Sequence, residues 1–177
     1  YWIQNRQLRE NKKTRYMINA SLKYQLFDWL DVVGRVKIDN YDNRSTYKAY
    51  ASTGTLVSGD RGTYSDTSTQ SKNTYADAIA TLNKSFNDWS VNVNLGVSLS
   101  DSRYEMIGYE GGLKLINFFA VHNIDFNKAW KAKQSGWHDQ TRAIFANAEI
   151  GWKSMIYLTA TGRNDWDSRL AFSDYKS

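Results

Sequence analysis

The chain contains no cysteine and no proline in its 177 residues. Without cysteine there is no disulfide framework, no thiolate metal site and no cysteine nucleophile, a state compatible with the cytosol and with a cell envelope. Histidine is scarce: His122 and His138 are the only two, and they lack the tight spacing of a zinc site, so neither metal nor cofactor is expected. No apolar run approaches the roughly 20 residues that a membrane helix needs, which excludes a helical membrane protein but not one that crosses with strands. The sequence also opens without an initiator methionine, a basic n-region or an apolar h-region, so it is expected to be an internal fragment or a mature chain cut at both ends.

Aromatic residues are abundant, with 7 Trp, 12 Tyr and 7 Phe making 15% of the chain, yet the mean hydropathy is -0.63. A soluble domain with so many rings normally carries a strong aliphatic core beside them. A barrel wall needs apolar residues only at alternate positions. The net charge of +5 suits a nucleic-acid binder, but lysine and arginine are interspersed with acidic residues, and the densest basic stretch, 6–15, is short. A nucleic-acid module would gather its aromatics on one strand face, whereas here they fall largely at strand ends, so no nucleic-acid partner is expected.

Period two dominates wherever a period exists. Tyr16, Ile18, Ala20, Leu22, Tyr24 and Leu26 alternate with mostly polar neighbours, and after a hinge at 27–29 the pattern resumes with Leu30, Val32, Gly34, Val36 and Ile38. A polar tract at about 42–74 has no sustained period and reads as a long loop. A second hairpin follows, with Ala76, Ala78, Ala80 and Leu82 on one strand and Trp89, Val91, Val93, Leu95, Val97 and Leu99 on the next. Another long connection at about 101–140 precedes a third, built on Ile144, Ala146, Ala148, Ile150 and Trp152, a turn at Lys153-Ser154, then Ile156, Leu158, Ala160 and Gly162.

Short turns therefore alternate with long loops, as in bacterial barrels with periplasmic turns at one rim and extracellular loops at the other. The strands are expected to run to about 8 to 12 residues, near the length that spans a bilayer at a tilt. Trp29, Trp89 and Trp152 flank the short turns, while Tyr16 and Trp166, with Tyr41 and Tyr75, lie near the opposite strand ends. Indole and phenol rings favour the headgroup region, so these positions imply two girdles facing outer-membrane lipid.

Catalytic signals are weak, and an enzyme is not expected. The carboxylate pairs Asp39 with Asp42 and Asp165 with Asp167 read as charged loop ends, and Gly108 to Gly112 is too irregular for a phosphate loop. Three Asn-x-Ser triplets, at Asn19, Asn43 and Asn83, match the glycosylation pattern, but two begin inside expected strands. Arg163 and Asp165 share the polar parity of their strand and are expected to face the lumen, in contact with a plug or substrate or as an ion pair in the wall. Leu113, Leu115, Ile116, Phe118 and Phe119 form an apolar cluster in the second long loop, suited to packing the loop on itself or to meeting a partner lid.

Gly162-Arg163-Asn164-Asp165-Trp166, at the end of a strand, resembles the barrel signature of the SusC/RagA family of TonB-linked outer-membrane proteins. The following Asp167 is acidic where that family has a small polar residue. Residues 117–125 are similar to a loop word of the same family. The resemblance in pattern extends from about residue 13, with its specific words in the last third.

It implies an all-β, antiparallel transmembrane barrel of about 22 strands, of which this chain supplies about six. The expectation is thus a single barrel segment over 1–177, without plug, TonB box or closing strand, in the bacterial outer membrane. The resemblance further implies a nutrient importer of oligosaccharides or peptides, energised by the TonB complex through a region outside this chain and working with a SusD-like lipoprotein. The competing reading is a soluble carbohydrate-binding β-sandwich, whose exposed Tyr and Trp would stack on sugars. That reading predicts shorter strands and no systematic difference between turns and loops.

Overall fold

Alternation of apolar and polar side chains gives a strand two unlike faces, and six such strands form here. The structure, a computed structural model, describes residues 5–170 other than residue 129. Strands β1 (Gln7–Phe27), β2 (Leu30–Ala49), β3 (Thr63–Phe86), β4 (Trp89–Gly112), β5 (Trp130–Trp152) and β6 (Ile156–Asp167) pair in chain order as one antiparallel sheet. Short turns join β1 to β2, β3 to β4 and β5 to β6, while the other two connections are long. At the last turn Lys153 and Ser154 both take positive φ, 50° and 56°, and Met155 N donates to Trp152 O over 3.0 Å. Two successive left-handed residues are the geometry of the reversed turn that suits strand twist.

The strands exceed the expected length. β1 to β5 run to 21, 20, 24, 24 and 23 residues. The tracts at 42–74 and 101–140 are therefore not loops throughout, because β2 to β5 continue well into them and leave connections at 50–62 and 113–129. The reason is physical: where both faces of a strand are polar, no apolar alternation marks it.

One register is fully defined. Ile144, Ala146, Ala148, Ile150 and Trp152 of β5 oppose Asn164, Gly162, Ala160, Leu158 and Ile156 of β6, so the apolar parities coincide. Among the described residues there is no second sheet to cover this face. Leu22 is 74% exposed and Leu158 71%, with Tyr24, Leu95, Val97, Ile144 and Ile156 also exposed. A water-soluble sandwich buries such side chains between two sheets, and strands of 20 to 24 residues run against the shorter ones that the sandwich reading predicts.

The chain divides into two units, with β1 to β5 each contributing to both. The second unit comprises 16–39, 72–102 and 138–177, and it holds the apolar stretches, the three short turns and β6. The first unit comprises 1–15, 40–71 and 103–137, and it holds both long connections. The division coincides with a change of chemistry along single strands. On the apolar parity of β2, Val36 and Ile38 give way to Asn40, Asp42 and Arg44, and on β4 Val97 and Leu99 give way to Asp101, Arg103 and Glu105. β1 passes from Ile18 and Tyr16 to Thr14, Lys12 and Glu10, and β5 from Ile144 to Arg142, Gln140 and His138.

Candidate functional site: a polar sheet face and a packed pair of loops

In the second unit the polar parity forms a hydrogen-bonded surface. Thr81 Oγ1 donates to Asn94 Oδ1 over 2.8 Å, Asn94 Nδ2 to Asn92 Oδ1 over 2.9 Å, and Asn92 Nδ2 to Asn83. Asn147 Nδ2 donates to Thr161 Oγ1 over 2.8 Å. Arg163 and Asp165 come together as an ion pair along β6, with Nε 2.9 Å from both carboxylate oxygens and Nη2 2.9 Å from Oδ1. The Arg163 guanidinium also lies 5.8 Å from the Phe145 ring centroid. Phe145 in turn covers Gly96 so closely that a Cβ there would collide with its ring. An aromatic laid over a strand glycine fills the gap left by the missing side chain.

The sequence reading missed a second arginine on this face. Arg35 holds Asp77 in a two-pronged bridge, Nε to Oδ1 and Nη2 to Oδ2, both 2.9 Å, with the Asp77 carboxylate buried. Parity alone places both residues on the polar side, but they stand 42 positions apart and only the pairing of β2 with β3 brings them together. Lys23 and Asp31 form a further pair at 3.0 Å. Such a face is wettable throughout, with charge held in pairs.

Trp89 and Trp152 are neighbours at the short turns, ring centroids 6.5 Å apart, and Lys153 Nζ stands 5.0 Å from the Trp152 ring. Trp29 stacks on Phe27 at 5.2 Å and 8°. At the other end of the same unit, Tyr16 is exposed on β1 and Trp166 lies opposite Arg142.

The first unit contains the packed core of the loops. Leu113 and Ile124 form an isolated bridge, are 1% and 0% exposed, and pack with Tyr64; Tyr109, Phe119 and Val121 lie against them. Phe119 meets Tyr50 edge-on at 4.8 Å. The two connections are also tied by backbone: Leu113 N donates to Gly62 O over 3.0 Å, and Asn117 N to Arg61 O over 2.9 Å. Gly62 has φ 99°, and a Cβ there would lie 2.9 Å from Ala49 O, so only glycine fits. Asn123, which the sequence reading included in the loop word 117–125 without a role of its own, is 3% exposed. Its amide donates to Leu115 O (3.0 Å) and Phe118 O (2.7 Å), and its oxygen accepts from Leu115 N (3.0 Å).

The apolar loop cluster therefore divides. Leu113 and Phe119 turn inward, whereas Leu115, Ile116 and Phe118 remain exposed, as do Leu56 and Val57 on the other connection.

Arg44 and Asp66 bridge β2 and β3 in the first unit, with Nε to Oδ1 at 3.0 Å and Nη2 to Oδ2 at 2.6 Å. Hydrogen bonds from Arg44 hold the Asp66 carboxyl below its usual range against the opposing effect of partial burial. Burial raises the neighbouring Tyr64 phenol. A depressed carboxyl contributes stability that is present above its unfolded value, about 3.9, and is lost as pH falls through the lower folded value. With Arg44 62% exposed at its side chain, solvent screening limits the contribution to about 1 kcal/mol. Asp66→Asn is expected to speed amide hydrogen exchange in strand residues 64–70 at about pH 7, and the difference from the parent chain should shrink toward pH 2. An equal difference at both pH values would contradict this assignment.

No protein-family model and no curated protein sequence matches the chain. Solved structures do. The chain superimposes on a structure of the RagAB peptide transporter with a TM-score of 0.84 and 13% identity, covering 95% of this chain and 19% of that one. On the RagAB peptide importer in its open-open state the TM-score is 0.88 at 11% identity, covering 99% and 20%. On the closed-closed state it is 0.82 at 13% identity, covering 93% and 18%. The chain spans about a fifth of the length of these proteins. It therefore has the fold of a six-stranded barrel segment of the RagAB transporter.

Proposed function

We propose that this chain is wall and extracellular loop of a TonB-dependent outer-membrane importer, not an enzyme, and that it works with a SusD-like surface lipoprotein. The observation that carries the reading is the apolar face on β1 to β6, which the described residues leave uncovered. Lipid is the solvent that such a face suits, and a closed antiparallel barrel is the form in which strands cross it. The stretch from Trp89 to Leu99, at about 3.3 Å per residue and a tilt near 45°, rises roughly 25 Å, the height of a lipid-facing band. Trp29, Trp89, Trp152, Trp166 and Tyr16 then stand at the two headgroup levels. The polar face lines the lumen, where Arg163 with Asp165 and Arg35 with Asp77 meet plug or substrate. Peptides are the favoured cargo, since the similar structures are described as peptide importers.

In this reading Ile116 and Phe118, exposed on the second loop, face the lid lipoprotein, while Leu113 and Phe119 hold the loop in shape. The test replaces Ile116 and Phe118 together by Ser in the full-length transporter and measures lid co-purification and peptide uptake in cells. Loss of about tenfold or more in lid association with an intact, heat-modifiable barrel is expected. Unchanged association and uptake would reduce the exposed loop residues to bystanders.

A further inference from the structure

The apolar face carries a groove in the second unit, close to where its chemistry turns polar. Its volume is about 1040 Å³, at the upper end for small-molecule sites. Ala76 and Ala78 of β3, Val97 and Leu99 of β4 and Ile144 of β5 line it, and Asp77, Ser98 and Ala143, which alternate with them along the same strands, contribute to its lining. At one end stand Arg142, Gln140 and Trp166.

Arg142 is exposed, and its one side-chain hydrogen bond among the described residues is from Nη2 to Gln140 Oε1 at 2.9 Å. Among the described residues no carboxylate pairs with it. The nearby Asp101 is engaged elsewhere, accepting from Gln140 Nε2 at 3.3 Å and lying 2.8 Å from His138 Nε2. The other arginines of β2, β4 and β6 are paired: Arg35 with Asp77, Arg44 with Asp66, Arg103 with Glu105 and Arg163 with Asp165. Arg142 is thus an unneutralised cation at the mouth of an apolar trough.

We propose that this groove holds one anionic membrane lipid, an acyl chain along Ala76 and Ala78 and its phosphoryl headgroup on Arg142. The proposal rests on the apolar face being lipid-facing. Both halves follow from chemistry: the aliphatic side chains of the lining suit an acyl chain, and a guanidinium presents paired donors that match phosphoryl oxygens. Trp166, opposite Arg142 on β6, supplies an indole at the same level.

The test uses the full-length protein in dodecyl maltoside micelles, incubated with dioleoyl phosphatidic acid or with dioleoylglycerol, which has the same chains and no phosphate. Native mass spectrometry reads the bound lipid. Phosphatidic acid should be retained about tenfold more than dioleoylglycerol. Arg142→Gln should erase that preference, and Ala78→Trp, which fills the trough, should lower retention of both. Equal retention by the parent protein, or indifference to both substitutions, overturns the proposal while a protease-resistant barrel in the same micelles leaves the transporter reading intact. Failure to form that barrel would remove both.

Discussion

Val93→Arg should destabilise the full-length barrel by about 2–4 kcal/mol in a bilayer folding titration, the cost of a cation near the lipid midplane. Asn94→Arg, one residue along β4, should cost only about 1 kcal/mol. Asn94 lies on the opposite face, where it accepts from Thr81 and donates to Asn92, and an arginine there loses those bonds but keeps water. The contrast depends on parity alone, since both residues are half-buried and belong to the same strand. Equal costs would mean that the two faces of β4 meet the same solvent.

The second large effect is expected in the loops. Leu113→Ala should remove about 2–5 kcal/mol of local stability, because the side chain is enclosed by Ile124 and Tyr64 and leaves a cavity that cannot collapse freely. Phe118→Ser, at an exposed position of the same connection, should change it by no more than about 0.5 kcal/mol. Hydrogen exchange of the amides of Leu113, Lys114, Asn123 and Ile124, all in backbone hydrogen bonds or in contact with them, would report the difference. If Phe118→Ser loosened these amides as much as Leu113→Ala, the division of the cluster into inward and outward members would be wrong.

The sequence revealed the fold where one face of a strand is apolar. Leu30 to Ile38, Trp89 to Leu99 and Ile144 to Trp152 declared themselves through period two, and Lys153-Ser154 marked a tight turn. The outer parts of β2 to β5 stayed hidden, because Asp42, Arg44, Asp66, Gln70, Arg103 and Glu105 make strand without apolar alternation. Long-range partners were hidden for another reason. Arg35 and Asp77, or Phe145 and Gly96, become neighbours only through strand pairing, which residue type does not encode. Arg163 with Asp165 was visible because the two lie on one strand and one face. In the loops, the inward turn of Leu113 and Phe119 and the stapling by Asn123 depend on a packed core that no periodicity announces.

The most direct test of the membrane reading is a nitroxide scan from Trp89 to Leu99 in the full-length protein reconstituted into bilayers. Collisions with oxygen, which concentrates in lipid, and with a water-soluble nickel chelate would be measured at each position. The account predicts a period of two, with Trp89, Val91, Val93, Leu95, Val97 and Leu99 favouring oxygen and Ser90, Asn92, Asn94, Gly96 and Ser98 favouring nickel. A flat profile, or one in which both sets favour nickel, would contradict it.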